Sequence, residues 1–140
     1  EIYNCKNTIT LRTSIIGPEI KLSKGLFGWF KYEEGLIQGY KNAYFSGLTT
    51  LELSSIFEKL IFIDKKISGL FHISSKKISK FDLLKLINQI YNLNKQITPN
   101  TTFELDRSLN SNKFKKLTKI KINNWSNMLI NQKKFIENTF

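Results

Sequence analysis

The chain has 140 residues, 41% hydrophobic and 13% aromatic, a composition that builds a packed core and excludes a disordered chain. Its longest obvious apolar run, Leu60-Ile61-Phe62-Ile63, falls far short of the roughly 20 residues that span a bilayer, so no membrane partner is expected. The formal net charge of +11 invites a nucleic-acid reading; lysines spread along the whole chain, with Arg12 and Arg107 as the only arginines, disfavour it.

The sequence opens on Glu1-Ile2-Tyr3-Asn4 without an initiating Met or a signal-peptide pattern, and it reads as a piece cut from something longer. Cys5 is the only cysteine. It excludes an internal disulfide, offers no metal-ligand spacing, and fits a reducing, cytoplasmic setting. Thr8 to Ser14 alternates apolar Ile9 and Leu11 with polar neighbours, the period of a strand, and Gly17-Pro18 stops it. A loop runs to Gly25, and Leu26-Phe27-Gly28-Trp29-Phe30 forms an aromatic turn or short helix closed near Gly35. Leu36–Tyr40 and Ala43–Ser46 read as two short extended pieces separated by Lys41-Asn42.

Thr49-Thr50-Leu51-Glu52 is a capping box, in which Thr49 and Glu52 can satisfy each other's free backbone N–H groups. Leu53, Ile56, Phe57, Leu60 and Ile61 follow at helical spacing. Ser68-Gly69 turns the chain into a strand over Leu70–Ile73. A second box, Ser79-Lys80-Phe81-Asp82, opens a helix with the stripe Leu83, Leu84, Ile87, Ile90 and Tyr91. Pro99 breaks the pattern before a short strand at Thr102–Leu105. Asn112–Leu117 reads as a short helix, and Asn124 caps a last one carrying Trp125, Met128, Leu129 and Phe135. This order is α/β in character, yet it holds too few strands for a good sheet of its own.

Several segments carry possible chemistry. Arg12-Thr13-Ser14-Ile15-Ile16-Gly17-Pro18 sits at the carboxyl end of a strand, where ligands bind in open α/β sheets, although such a turn is more often structural. Tyr91 and Lys95 have the Tyr-x-x-x-Lys spacing of a reductase, in which the Lys lowers the Tyr pKa for proton donation. Tyr91 lies on an apolar stripe, so a core or rim role is expected. His72 on its strand and the aromatics Phe27, Trp29 and Phe30 read first as packed residues, with stacking on a base or sugar as the second reading for the aromatics.

The segment Leu11–Gly17 resembles the one that follows the catalytic helix in the extended short-chain dehydrogenase/reductases. Further resemblances to that family come in the same order. They are Phe45-Ser46-Gly47-Leu48-Thr49-Thr50-Leu51-Glu52-Leu53, then Gly69-Leu70-Phe71-His72-Ile73-Ser74, then Asp106-Arg107-Ser108-Leu109-Asn110-Ser111 with the short helix after it. The subgroup most similar is that of the dTDP-4-dehydrorhamnose reductase-like nucleotide-sugar reductases and epimerases, over nearly the whole chain from Thr8. The sequence departs from the family at Ser108, where many members have Pro, and in the lysines that follow.

The resemblance implies the C-terminal portion of a Rossmann-type enzyme. Residues 1–17 would be the last core strand region of the cofactor domain. Residues 18–140 would be a small substrate subdomain with an interleaved sheet strand near 69–74. It implies a nucleotide-sugar substrate contacted by Thr13, Ser14, Phe45, Ser46 and Arg107, and NAD or NADP in the parent enzyme, with Arg12 and Thr13 beside it. The Gly-rich phosphate turn and the catalytic Ser/Thr, Tyr and Lys of that family have no counterpart here. They are expected upstream of Glu1 or on a separate chain, and no residue of this chain is expected to be catalytic or to bind a metal. A different class stays open, a stand-alone basic module for RNA or another anion, built on a continuous face of Lys76, Lys77, Lys80, Lys113, Lys115 and Lys116.

Overall fold

The structure, a computed structural model, describes residues 8–19, 25–63 and 67–139. The readings attached to Glu1–Asn4 and Cys5, and to the middle of the loop after Pro18, lie outside these residues.

Twelve elements follow in chain order among the described residues: β1 (Ile9–Arg12), β2 (Ile15–Ile16), α1 (Leu26–Tyr32), β3 (Ile37–Phe45), β4 (Leu48–Thr49), α2 (Thr50–Ile61), β5 (Gly69–His72), β6 (Ile78–Ser79), α3 (Lys80–Tyr91), β7 (Ile97–Asp106), α4 (Asn112–Thr118) and α5 (Trp125–Thr139). The class is α/β. Strand β1 pairs in parallel with β5, Ile9 opposite Gly69 and Arg12 opposite His72. Strand β2 pairs in parallel with β4, Ile15 opposite Leu48. The third sheet has the order β6-β3-β7, with β3 parallel to β7 and antiparallel to β6.

Three differences from the expected elements have physical causes. The single strand expected over Thr8–Ser14 divides at Thr13-Ser14 into β1 and β2, because the two halves take different partners, β5 and β4. Lys41-Asn42 does not interrupt β3; the strand runs through it, and the Asn42 amide donates to Glu104 Oε1 on the neighbouring strand at 3.1 Å. Pro99 does not end a pattern either. It lies inside β7, which tolerates it as an edge strand, opposite Gly39 of β3. The local irregularity comes just after it, as a register shift between Tyr40 and Asn42. There Asn100 Oδ1 accepts both the N–H and the hydroxyl of Thr102, at 2.8 and 2.7 Å.

Helix α3 lies on β3 and β7, α5 packs across α3, α2 and β4, and α4 rests against β5. Gly39 allows the closest of these approaches, since a Cβ there would stand 2.9 Å from Phe81 Cα. The core between these layers is formed by Phe30, Ile37, Leu48, Ile56, Ile73, Leu83, Leu84, Ile87, Phe114, Met128 and Leu129, all buried. The stripe on α3 supplies it with Leu83, Leu84 and Ile87 at the expected spacing, whereas of the α2 stripe only Ile56 is buried and Phe57 and Ile61 are exposed. Asn124 caps α5 as expected, accepting the Asn127 N–H at 2.9 Å.

The first capping box is only half formed. Thr49 Oγ1 accepts the Glu52 N–H at 3.2 Å. The buried Glu52 carboxylate instead accepts the Asn123 N–H at 2.9 Å and the Asn123 side-chain amide at 2.8 Å, which ties the entry of α5 to α2. Charged acceptors make the stronger hydrogen bonds. Glu52→Ala is therefore expected to lower unfolding stability by about 2 kcal/mol, read as a lower urea midpoint at an unchanged slope; an unchanged midpoint would mean the tie contributes nothing.

Candidate functional site

The segments singled out from the sequence meet where β2, β3, β5 and β7 end. Ser14 carbonyl accepts the Leu48 N–H at 2.9 Å, and Ile73 N–H reaches Arg12 carbonyl at 2.9 Å. Gly47 sits so near that a Cβ on it would stand 2.5 Å from the Ser14 oxygen and would also strike the Phe45 ring. Ser46 Oγ accepts the Leu109 N–H at 2.8 Å, Ser46 carbonyl accepts the Ser75 N–H at 2.9 Å, and Ser75 Oγ donates to Gly47 carbonyl at 2.6 Å. Ser74 Oγ donates to Leu109 carbonyl at 2.8 Å, and Ser111 Oγ to Ser74 carbonyl at 3.1 Å. These serines are buried. Their small side chains satisfy backbone groups that water cannot reach.

Thr13-Ser14, Phe45-Ser46 and the turn after Arg107 are thus brought together. Thr13 is half-buried, and its hydroxyl lies 3.4 Å from the Ser14 carbonyl oxygen. Phe45 is buried with its ring 5.6 Å from that of Trp125, and the Lys80 ammonium stands 4.3 Å from the Phe45 ring centroid. Ser46 is 2% exposed, and its hydroxyl oxygen holds the Leu109 N–H, which ties the end of β3 to the turn after β7. Arg12 and Arg107 are both exposed at strand ends.

Arg107 is positioned through its main chain, the N–H donating to Tyr44 carbonyl at 3.2 Å. Neither acid near it in sequence pairs with it. Asp106 takes the Lys77 ammonium at 2.6 Å and the Ser108 N–H at 2.9 Å, and both hold its carboxyl well below the usual carboxylate range, Lys77 first. Glu104 takes the Asn42 amide. Burial, followed by the charge of Arg107, lowers the pKa of Lys80.

The other candidates have structural partners. Tyr91 packs its ring edge-on to Phe27 at 4.9 Å, and the Lys95 ammonium donates to Glu33 carbonyl at 2.5 Å. Burial raises the Tyr91 pKa, with Glu137 adding to it and a Gln132 hydrogen bond opposing, which is opposite to what a proton-donating reductase tyrosine needs. Phe27 and Phe30 belong to the core, while Trp29 packs against it half-buried. His72 is half-buried opposite Arg12. The lysines of the proposed basic face are variously engaged: Lys77 with Asp106, Lys80 over Phe45, and Lys113 with Leu70 carbonyl at 3.3 Å. Among the described residues no three His, Cys, Asp or Glu side chains are grouped to hold a metal.

Ser74, Ser75, Ser111 and Lys80 were not singled out as site residues. The serines' partners lie 28 to 37 positions away, beyond any local signal, whereas the Ser-Lys-Phe-Asp box did mark where Lys80 stands.

No protein-family model matches the sequence, and no curated protein matches it either. Solved structures do. A dTDP-4-dehydrorhamnose reductase from Bacillus anthracis, in complex with NADP, superposes at a TM-score of 0.71 with 19% identity, over 94% of this chain and 48% of that one. The corresponding reductase of Clostridium acetobutylicum gives 0.72 and 19%, over 92% and 49%. A UDP-N-acetylglucosamine 4-epimerase from Bacillus cereus gives 0.71 and 15%, over 92% and 48%. The chain therefore has the fold of about half of a nucleotide-sugar reductase or epimerase, and it spans about half the length of the structures it matches.

Two measurements check this geometry. Ser46→Ala is expected to cost about 2 kcal/mol, since it orphans the Leu109 N–H, and to speed hydrogen exchange at the Leu109 amide, while distant amides stay protected. Spectrophotometric titration is expected to place one tyrosine above the ordinary value of 10.0, a transition that Tyr91→Phe removes. Because folding raises this pKa, the neutral phenol's contribution to stability is present below the unfolded value and is lost as pH climbs through the folded one.

Proposed function

We propose that this chain is the substrate-binding half of an NAD(P)-dependent nucleotide-sugar reductase or epimerase and is incomplete for catalysis alone. The observation that carries the reading is the superposition of 94% of the chain on 48% of a dTDP-4-dehydrorhamnose reductase, with the Arg12–Gly17, Phe45–Leu53, Gly69–Ser74 and Asp106–Ser111 segments meeting at one place. In this reading Thr13 and Ser14 face the reacting sugar and Arg107 receives the diphosphate. Phe45 and Ser46 form the wall that fixes both. Arginine suits that role because its charge is permanent and its fork of donors matches a phosphate.

The nicotinamide cofactor supplies or takes the hydride in enzymes of this kind. The residues described here fit its binding only in part. Arg12 and Thr13 stand at the carboxyl end of β1, a proper place for a ligand of an open sheet. No three glycines of the chain have the spacing of a Gly-rich phosphate turn, so the cofactor's phosphates would be held by a second domain, upstream or on a separate chain.

The surface of β1 supports such a partner. Among the described residues β1 pairs on one side only. Beside it lies a groove of about 560 Å³ lined by Ile9, Leu11, Phe57, Leu60 and Ile61, and the end of α2 leaves Ile61 79% and Phe62 80% exposed. A wide apolar surface next to an open strand edge is what a sheet shows where another layer normally covers it.

The purified chain is expected to show no NAD(P)H oxidation with a dTDP-4-keto sugar, followed at the nicotinamide absorbance. Turnover above the enzyme-free rate would overturn the claim that the chain is incomplete. Turnover restored by a separate cofactor domain would support the reading.

A further inference from the structure

Lys80, whose ammonium lies over the Phe45 ring, and Arg107, just past the strand that flanks β3 on its other side, have no counter-ion among the described residues. Strand register explains how they arrive there. Tyr44 on β3 lies opposite Ser79 of β6 on one side and Asp106 of β7 on the other. Lys80 and Arg107 are the next residues after those two positions. Arg107 is pinned by its own N–H to Tyr44 carbonyl. Lys80 is the first residue of α3, directly behind the Ser79 cap, and its ammonium lies over the Phe45 ring. That face attracts a cation and limits where the long side chain can go.

None of the acids near in sequence forms an ion pair with either cation. Asp106 is taken by Lys77 and Ser108, Asp82 accepts the Ser79 hydroxyl at 2.7 Å, and Glu104 binds Asn42. The pair therefore repels without internal compensation, and the lowered Lys80 pKa, due first to burial and then to Arg107, is in keeping with this. An arrangement held by backbone bonds, a helix cap and a ring face, yet left without a counter-ion, is preorganised for an anion from outside.

We propose that Lys80 is a second cationic contact beside Arg107, and that the two together receive the diphosphate of a nucleoside diphosphate-type ligand. This rests on the nucleotide-sugar reading above and adds a residue to it. A diphosphate spreads its charge over two phosphoryl groups, so a point charge and a planar fork carried just past the two strands that flank β3 can each take one group.

Isothermal titration of the 140-residue chain with dTDP, UDP, inorganic pyrophosphate and uncharged thymidine tests this. Lys80→Met keeps the aliphatic stem over Phe45 and removes the charge. It is expected to weaken dTDP or UDP binding about tenfold or more, as is Arg107→Gln, with the urea midpoint nearly unchanged. Lys80→Arg is expected to restore most of the loss, which a purely structural role for the stem would not do. If Lys80→Met binds like the wild type while Arg107→Gln is weakened, the Lys80 proposal fails and the nucleotide-sugar reading stands. If pyrophosphate binds as tightly as dTDP, the pair reads charge alone and the nucleoside part of the proposal fails. If the wild type binds neither nucleoside diphosphate at millimolar concentration, both the proposal and the reading beneath it fail.

Discussion

Everything at the candidate site depends on a knot of hydrogen bonds made by four serines. Ser46, Ser74, Ser75 and Ser111 join the end of β3, the segment after β5 and the turn after β7 through short bonds to backbone groups. Each bond contributes only about 1 kcal/mol on net. Leaving any of these buried groups unsatisfied costs more, so the segments hold together or fail together. The same constraint accounts for Gly47, whose carbonyl takes the Ser75 hydroxyl and whose Cα lies too near Ser14 to carry a side chain.

The chain's charge is organised from this knot outward. With the β3 end fixed, register brings Lys80 and Arg107 to opposite sides of strand β3 and places Lys77 where it meets Asp106 and lies 4.0 Å over the Tyr44 ring. A surplus of +11 is thus not a uniform coat. Some lysines are consumed by acids or carbonyls, and Lys80 and Arg107 are left without counter-ions among the described residues. The apolar side, next to β1 and the end of α2, is of another kind: Ile61 and Phe62 stand exposed there beside a strand that pairs on one side only among the described residues.

Helices α2, α3 and α5 were legible in the sequence because caps and apolar stripes act within a few residues of one another. The strands were less so. Lys41-Asn42 and Pro99 carry local signals for interruption, and both lie inside strands, since pairing between β3 and β7 over some 60 positions outweighs them. Glu52 was visible as half of a capping box, yet its carboxylate goes to Asn123, a partner 71 positions on. Arg107 was found through resemblance alone. Lys80 was visible in the second capping box and among the six lysines of a possible basic face, but the ring beneath it was not.

By itself, then, the sequence determined the class of elements, the ends of the longer helices, the lack of a Gly-rich phosphate turn, and the order of segments that resemble one half of a reductase or epimerase. These depend on short-range spacing and on composition. The tertiary structure alone decided which strands pair, that the Ser46 hydroxyl accepts the Leu109 N–H, that Tyr91 belongs to a packed edge, and that Lys80 and Arg107 form no ion pair among the described residues. The reason is distance along the chain. Hydrogen bonds and charge pairs are settled between residues brought together by folding, and no local pattern records which partner a buried serine or a committed carboxylate will find.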